Sequence, residues 1–522
     1  MPTSFSLPVS SNQPTQRPCA CKPLHESAAT GCTTERNDQP KEKCGVIGVW
    51  DDPDAVRKVY LGLYAQQHRG QEAAGIAVSD GTTIEAHTGQ GLVVDVFDRR
   101  AIYGLETTYK NNPSQSTNAY AGAIGHNRYS TAGGTNANNA QPLVETMFDG
   151  PVAIAHNGNL VNGQQWREEL ARVGRLFHTT SDTEIIIHLL ASPEQRDSPD
   201  PVAATMRNLL GAFSLVLLFP DRIEAARDPW GWRPLVLGEL PSGKPVVASE
   251  TVALDVMGAR FVREVEPGEI VTLSSAGISS RRFAAPSAPL AQCIFEHVYF
   301  ANPASNVFGQ NVQISRERFG AKLAQEAKVE ADFVMPMPDS GRSAANGYAL
   351  ESGIPYREGI VPNRYVGRTF IKPTQEERAA SVRLKLNVIS EVVRDQRLII
   401  VDDSIVRGTT TRLKMIQLRE AGAKEIHLRI SCPPIKHPCY FGVDFADRDQ
   451  LIAHGRTVEE IREFLGVDSL HFLSQVGMLE VMNQPSEHYC TGCFSGEYRV
   501  DVDHPVACEV ATKSQLNMFK TT

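Results

Sequence analysis

The stretch KEKCGVIGVW, Lys41–Trp50, joins a polar segment to a short apolar run, with a cysteine standing at the joint. Val46, Ile47 and Val49 are β-branched, and no polar residue alternates with them, so the run reads as a strand buried on both faces. Residues 1–43 ahead of it are rich in Ser, Thr, Pro, Gln and Asn and lack periodicity. They are expected to be a disordered, removable leader. Two readings of Cys44 follow. It is a core cysteine like many others, or the leader is a propeptide whose removal frees the Cys44 α-amine as base for its own thiol. Such an amine has a reference pKa of about 7.7 to 8.0, close to working pH.

Composition limits what such a chain can do. At 522 residues it is too long for one ordinary core, and roughly two to four domains are expected. It contains no run of about 18 uninterrupted apolar residues, so no membrane span is expected. A net charge of -8 and a pI near 6.0 disfavour nucleic acid or a membrane surface as partner. An anionic substrate would therefore need a local trap of N–H groups, basic side chains or metal. The ten cysteines are scattered and no secretory h-region precedes them, which points to a reducing cytoplasm. Glu26, Glu35, Asp38 and Glu42 make the leader a poor organelle transit peptide, and its Cys19, Cys21 and Cys32 read as incidental thiols.

Outward from Cys44, DPDAVRKVYLGLYAQQHRG predicts a helix with Val56, Tyr60, Leu63 and Tyr64 on one face behind an Asp cap. Short strands follow in AAGIAVSDG, TTIEAHTG, YAGAIGHNRYST and PVAIAHNGNL. TTSDTEIIIHLL predicts a second helix, with Ser181 and Glu184 in a capping-box pattern. Strands resume in FSLVLLF, PVVAS and GEIVTL, and the whole reads as an α+β layered domain over residues 44–285. Cys44, Arg128, Asn157, Gly158 and Asp182 all stand at the ends of apolar runs, where one pocket could collect them. His68, His126 and His156 lie near turns and read as structural.

The segments CGVIGVW, QHRGQEAAGI, GHNRYSTAGG, AHNGNL and TTSDTE, in this order, resemble the Ntn-hydrolase glutaminase domain of class II glutamine amidotransferases. The resemblance implies αββα layers and an autoprocessed propeptide. It makes Cys44 the nucleophile on the glutamine amide, and Asn157 with the Gly158 N–H the oxyanion hole. Arg128 would clamp the glutamine α-carboxylate and Asp182 its α-ammonium.

The second half opens differently. RLIIVDDSIVRGTTTRLKMIQLREAGAKEIHLRI, residues 397–430, reads as strand, acidic pair, glycine-threonine loop, helix, Gly422 cap, and an alternating strand through Ile426, Leu428 and Ile430. That is one βαβ unit of a parallel sheet, with its loop at the carboxyl end where ligands bind. Residues 404–411 can turn N–H and hydroxyl groups toward a phosphate, and Asp402 with Asp403 offers hard oxygens to ribose hydroxyls or Mg²⁺. The GK[ST] ending of a Walker A loop is missing. An acidic pair after a strand also reads as a plain helix-capping turn.

VDDSIVRGTT resembles the phosphoribosyl pyrophosphate (PRPP) motif of type I phosphoribosyltransferases, implying an α/β domain over residues 286–475. The resemblance assigns PRPP to Asp402, Asp403, Ser404, Arg407, Gly408, Thr409 and Thr410. VMPMPDSGRSAA looks like the pyrophosphate loop, with Ser340 joining Asp402 and Asp403 around Mg²⁺. NRYVGRTFIKP resembles the loop that closes over the substrate, where Arg364 and Arg368 would meet pyrophosphate charge.

A glutaminase followed by this domain resembles the amidophosphoribosyltransferase family, which implies PRPP amination by glutamine-derived ammonia, purine nucleotides as feedback inhibitors and a homotetramer. Cys293, Cys439, Cys490 and Cys493 match the positions that hold a [4Fe-4S] cluster in one subgroup, the last two in a tail over residues 476–522. Cys432 and Cys508 are left over. A hexosamine synthase would leave VDDSIVRGTT unexplained, and a DNA-acting PRPP sensor fits neither the glutaminase half nor the acidic charge. Pro362, Asn302, Ala304, Trp230 and Trp232 depart from the usual family residues.

Overall fold

The strand Gly45–Trp50 runs through the interior of a seven-stranded sheet, antiparallel to Pro245–Ala248 on one side and Gly122–Arg128 on the other. Its side chains alternate between two apolar environments. Val46 and Trp50 face a second sheet, while Ile47 and Val49 face helices. A Cβ at Gly48 would lie 3.1 Å from a Val216 methyl, so a larger residue would crowd the two sheets where they pack. This computed structural model describes residues 44–110, 121–129, 137–363, 386–443 and 448–502. The leader with its three cysteines, Arg364, Arg368 and Cys508 lie outside the described residues.

The second sheet has six antiparallel strands, ordered Gly277–Arg282, Glu269–Ser274, Arg222–Arg227, Gly211–Phe219, Gly150–Leu160 and Leu143–Met147. Helices Ala55–Ala65 and Thr251–Met257 cover the outer face of the first sheet, and Thr183–Leu190 with Pro201–Met206 covers the second. The layers are thus αββα.

Two details of the expected helices are corrected. The buried face of Ala55–Ala65 is Val56, Val59 and Leu63, whereas Tyr64 is 54% exposed, and Asp54 makes no side-chain capping bond. Glu184 does not close a box with Ser181. Its carboxylate reaches further back and accepts the N–H groups of His178 (2.7 Å) and Thr179 (2.8 Å).

Beyond the sandwich, Phe333–Pro336, Arg397–Asp402, Glu425–Ile430 and Ser469–Phe472 form a four-stranded sheet, parallel throughout. Ile426, Leu428 and Ile430 are buried as expected, but His427 and Arg429 on the opposite face are buried too. A parallel sheet is covered on both sides, so the polar pair turns inward: His427 Nδ1 meets Ser469 Oγ at 2.9 Å, and Arg429 donates to the Ala327 carbonyl at 3.3 Å. The short strands Ile360–Pro362 and Leu386–Val388 pair with each other, Pro362 opposite Leu386. Near the end of the chain, Tyr489–Cys490 pairs in parallel with Gln292–Cys293. All described residues belong to one compact unit, Asn37–Thr522.

Candidate active site

Cys44 sits at the head of its strand with its Sγ 3.7 Å from the Tyr129 carbonyl oxygen. Burial pushes its thiol above the ordinary 9.0, outweighing the nearby Arg128 charge. A thiol so placed needs a base before it can attack. The bonds made by His68, His126 and His156 go elsewhere: His126 Nε2 meets the His156 carbonyl at 3.0 Å, His156 Nδ1 lies 3.5 Å from Asp182, and His68 Nε2 pairs with Glu250 at 2.8 Å. Burial also holds His126 near pKa 3, hence neutral.

The antiparallel ladders bring the other expected residues around the thiol's sheet. Arg128 ends the strand beside Gly45–Trp50, and Asn157 and Gly158 lie on Gly150–Leu160 opposite Ser214 and Phe213. Ser249 ties the two sheets together. Its Oγ accepts the Val46 N–H (3.0 Å) and faces the Asn157 amide nitrogen at 3.5 Å. Asp182 accepts the Leu160 N–H at 2.9 Å. Burial opposes its charge, but His156 and that N–H outweigh it and hold the carboxyl below the usual range.

Beneath the nucleophile runs a buried ion network with no sequence motif. Arg69 donates to the Cys44 carbonyl (3.1 Å), to Glu250, and to both Glu296 oxygens (3.0 and 3.1 Å). Glu296 also meets Arg233 at 3.4 Å, and Glu250 accepts the Asn302 N–H (2.9 Å) and the Ser305 hydroxyl (2.7 Å). Asn302, one of the departures, thus uses its backbone to help hold Glu250, and its side chain accepts the Ala304 N–H at 3.0 Å.

At the carboxyl end of the parallel sheet, Asp402 and Asp403 are buried side by side, the Asp403 N–H on Asp402 Oδ1 at 3.0 Å. Burial pushes both carboxyls up, and the charge of Asp403 pushes Asp402 further. The hydroxyls of Ser340 and Ser404 bond to Asp403, and the charges of Lys414 and Arg316 favour its ionised form. Gly408, at φ +78°, turns the chain into the helix Thr409–Glu420, so Thr409 and Thr410 form its first turn. Any Cβ there would lie 2.5 Å from Ile452. Arg407 reaches Gln450 at 2.8 Å. Gly408 occupies the helix cap, while the carboxyls gather hydroxyls and cations.

The four expected cluster cysteines also meet. Cys293, Cys439, Cys490 and Cys493 line one small enclosed cavity, otherwise walled largely by Trp232, Phe295, Phe441, Val443 and Tyr498. Cys293 and Cys490 are register partners in the parallel ladder. Trp232 stacks on Trp230 (4.8 Å between ring centroids) and on Phe441 (4.4 Å), so both tryptophan departures pack beside this cavity. Among the described residues, no group of three or more His, Cys, Asp or Glu side chains is arranged to hold a metal ion, although the four thiols line this one cavity. Cys432 lies near Cys493 but does not line the cavity; it is fully buried with its thiol 3.3 Å from the Pro433 carbonyl oxygen.

Sequence reasoning missed Arg69, Ser249, Glu250, Glu296, Arg233, Arg316 and Lys414. The only signal for Arg69 was its place in the HRG loop within QHRGQEAAGI.

This fold is that of a glutamine amidotransferase in which an Ntn-type glutaminase precedes a type I phosphoribosyltransferase. The glutamine amidotransferase domain family matches residues 126–256. An amidophosphoribosyltransferase of Synechocystis is 48% identical over 475 residues, covering 90% of this chain and 93% of that one. That of Bacillus subtilis is 44% identical over 466 residues, covering 88% and 95%. The solved Bacillus subtilis glutamine PRPP amidotransferase complexed with ADP and GMP superposes with a TM-score of 0.79 at 42% identity, covering 89% of this chain and 99% of that one. The chain belongs to the amidophosphoribosyltransferase family, pentosyltransferases that perform the first committed step of purine synthesis.

Proposed function

We propose that residues 44–285 hydrolyse glutamine and that residues 286–475 use the ammonia to displace pyrophosphate from C1 of PRPP, giving 5-phosphoribosylamine. The observation that carries this reading is the placement of Cys44 among Arg128, Asn157 and Gly158, on strands of the two packed sheets, and Asp182, at the start of the helix Thr183–Leu190. Once the leader is removed, the Cys44 amine takes the thiol proton and the sulfur attacks the side-chain carbonyl of glutamine. Asn157 Nδ2 and the Gly158 N–H then receive the oxyanion; the long 3.5 Å contact to Ser249 leaves that amide able to turn toward it. Arg128 holds the α-carboxylate, and Asp182, kept ionised, holds the α-ammonium. Collapse of the adduct releases ammonia and leaves a γ-glutamyl thioester, which water hydrolyses to glutamate.

At the second site the helix start at Thr409 and Thr410, with Ser404, Gly408 and Arg407, receives the 5-phosphate. Arg364 and Arg368 are assigned to the pyrophosphate. Two buried carboxyls that cannot both ionise comfortably fit a divalent cation, and Asp402, Asp403 and Ser340 would hold Mg²⁺ there. When bound, Mg²⁺ supplies the charge neutralisation that departing pyrophosphate requires.

The cysteine cavity fits a [4Fe-4S] cluster, because four thiols around a volume can each bind one corner of a cube. Burial pushes all four thiols up, and the buried Arg233 guanidinium pulls Cys293, Cys439 and Cys490 back toward ionisation, as an anionic cluster needs. A cluster there would staple residues 476–502 to the rest of the chain. Purine nucleotide feedback, supported by the ADP and GMP bound to the Bacillus relative, and a homotetramer, which rests on the family resemblance alone, complete the reading. Among the described residues no helix is long and apolar enough to cross a membrane. We place the enzyme in the cytoplasm; other relatives are named chloroplastic, and fractionation decides.

Purified protein given glutamine should release glutamate and, with PRPP present, pyrophosphate in equal amounts. Glutamate release that never leads to PRPP consumption would refute the two-site reading.

A further inference from the structure

One segment, residues 431–443, touches three places that the fold otherwise keeps apart. At its start the Ser431 N–H donates to the Asp402 carbonyl at 2.9 Å, extending the parallel sheet. In its middle the Lys436 and His437 N–H groups both reach the Cys493 carbonyl (3.0 and 3.1 Å), Tyr498 donates to the Pro438 carbonyl (2.8 Å), and Cys439 enters the cysteine cavity. At its end it lies on the strand that carries Asn157 and Gly158. Asn159 Nδ2 donates to the Tyr440 carbonyl at 2.9 Å, and buried Arg233 donates to the Phe441 carbonyl. Gly442, at φ +98°, is so close that an added Cβ would lie 3.0 Å from the Gly158 carbonyl carbon. A Cβ on Gly158 itself would lie 1.9 Å from the Ala212 carbonyl oxygen. Gly158, whose N–H is assigned to the oxyanion hole, thus meets neighbouring backbone at its carbonyl and at its Cα, and the backbone at its carbonyl belongs to a cysteine-bearing segment.

We propose that residues 431–443 position the oxyanion hole, and that the group seated among the four cysteines fixes where this segment stands. The second part rests on the iron–sulfur reading above. The reasoning is geometric. An oxyanion donor acts only if its N–H is already aimed where charge develops, and a displacement of about 1 Å can cost roughly 100-fold in rate. Gly442 and Asn159 act here through Gly158 and Tyr440, so they are positioning residues. Phe441 links the two parts: its ring walls the cavity and stacks on Trp232, while its N–H lies 3.4 Å from Cys439 Sγ.

The test uses the full chain, purified without oxygen. Gly442→Ala should lower kcat for glutamine by about 10- to 100-fold with its KM little changed, while ammonia-dependent synthesis and iron content stay at the wild-type level. Asn159→Ala, which removes only the bond to Tyr440 and leaves φ unstrained, should give the same pattern more weakly. In wild-type protein, withdrawing iron with a chelator should lower the glutamine-dependent rate ahead of the ammonia-dependent one. Unchanged glutamine kcat in both variants overturns the positioning role. Equal loss of both activities with loss of iron assigns the segment a general scaffold role and also overturns it. Wild-type protein without iron or sulfide removes the cavity from the proposal and refutes the cluster reading, while the kcat pattern of the two variants still decides the positioning role separately.

Discussion

The two sites solve the same problem, holding charge in a dry interior, in opposite ways. Around Cys44 the charges are compensated within the protein: Arg69 meets Glu250 and Glu296, and His156 and the Leu160 N–H hold Asp182. At Asp402 and Asp403 the compensation is incomplete: Lys414 and Arg316 favour ionisation, yet burial, joined at Asp402 by the charge of Asp403, holds both carboxyls up. A self-compensated site is built before substrate arrives, whereas an incompletely compensated one is completed by what binds. The first should therefore tolerate loss of metal, and the second should depend on it.

The sharpest way to break this contrast is Cys44→Ala. Glutamine-dependent synthesis should fall by roughly 10⁴-fold or more while synthesis from free ammonia persists; loss of both in a folded variant would show that the sites are not separable. Next in size, Asp402→Asn with Asp403→Asn should cut phosphoribosylamine formation by about 100- to 1,000-fold. Thioester formation at Cys44, trapped by rapid acid quench, should survive, and normal synthesis would reduce the pair to a turn.

A third experiment uses pH. Because burial raises the Cys44 thiol above 9.0, thiolate accumulates only as pH rises. Alkylation of the chain retaining residues 1–43 should therefore be slow at neutrality and accelerate about tenfold per pH unit up to that range. In protein that begins at Cys44, an inflection near the amine's pKa of about 7.7 to 8.0 should appear instead. Identical profiles would deny the amine its role. The smallest effect is expected from Ser249→Ala, which unties Asn157 from the nucleophile strand and should lower the glutaminase kcat by roughly 3- to 10-fold with PRPP binding unaltered.

What could be read from sequence follows from how local each signal is. Gly45–Trp50 announces itself because a strand buried on both faces must be apolar throughout, and the residues at strand ends stand out against such runs. Asp402 to Thr410 is contiguous, so its loop is visible in one glance. Arg69 has no such advantage. Its partners lie 181 and 227 residues away, and only the antiparallel closure of the sandwich and the following segment bring them together. Ser249 is equally silent, a single hydroxyl between Val46 and Asn157. Glu184 shows a subtler limit: its spacing from Ser181 was right for a cap, but a looped approach offered it two N–H groups further upstream.

Arg69 has a consequence for anyone wishing to graft this glutaminase onto a different ammonia acceptor. Glu296, which shares its guanidinium, comes from beyond residue 285, so a transplant cut at that point would carry Arg69 and Arg233 away without the carboxylate they share. Breaking a buried pair in this way costs about 3 to 5 kcal/mol, and it would fall directly beneath the nucleophile whose carbonyl Arg69 holds. A chimera that works should need its own acidic residue at the matching place, so the modularity of such enzymes is bounded by one carboxylate.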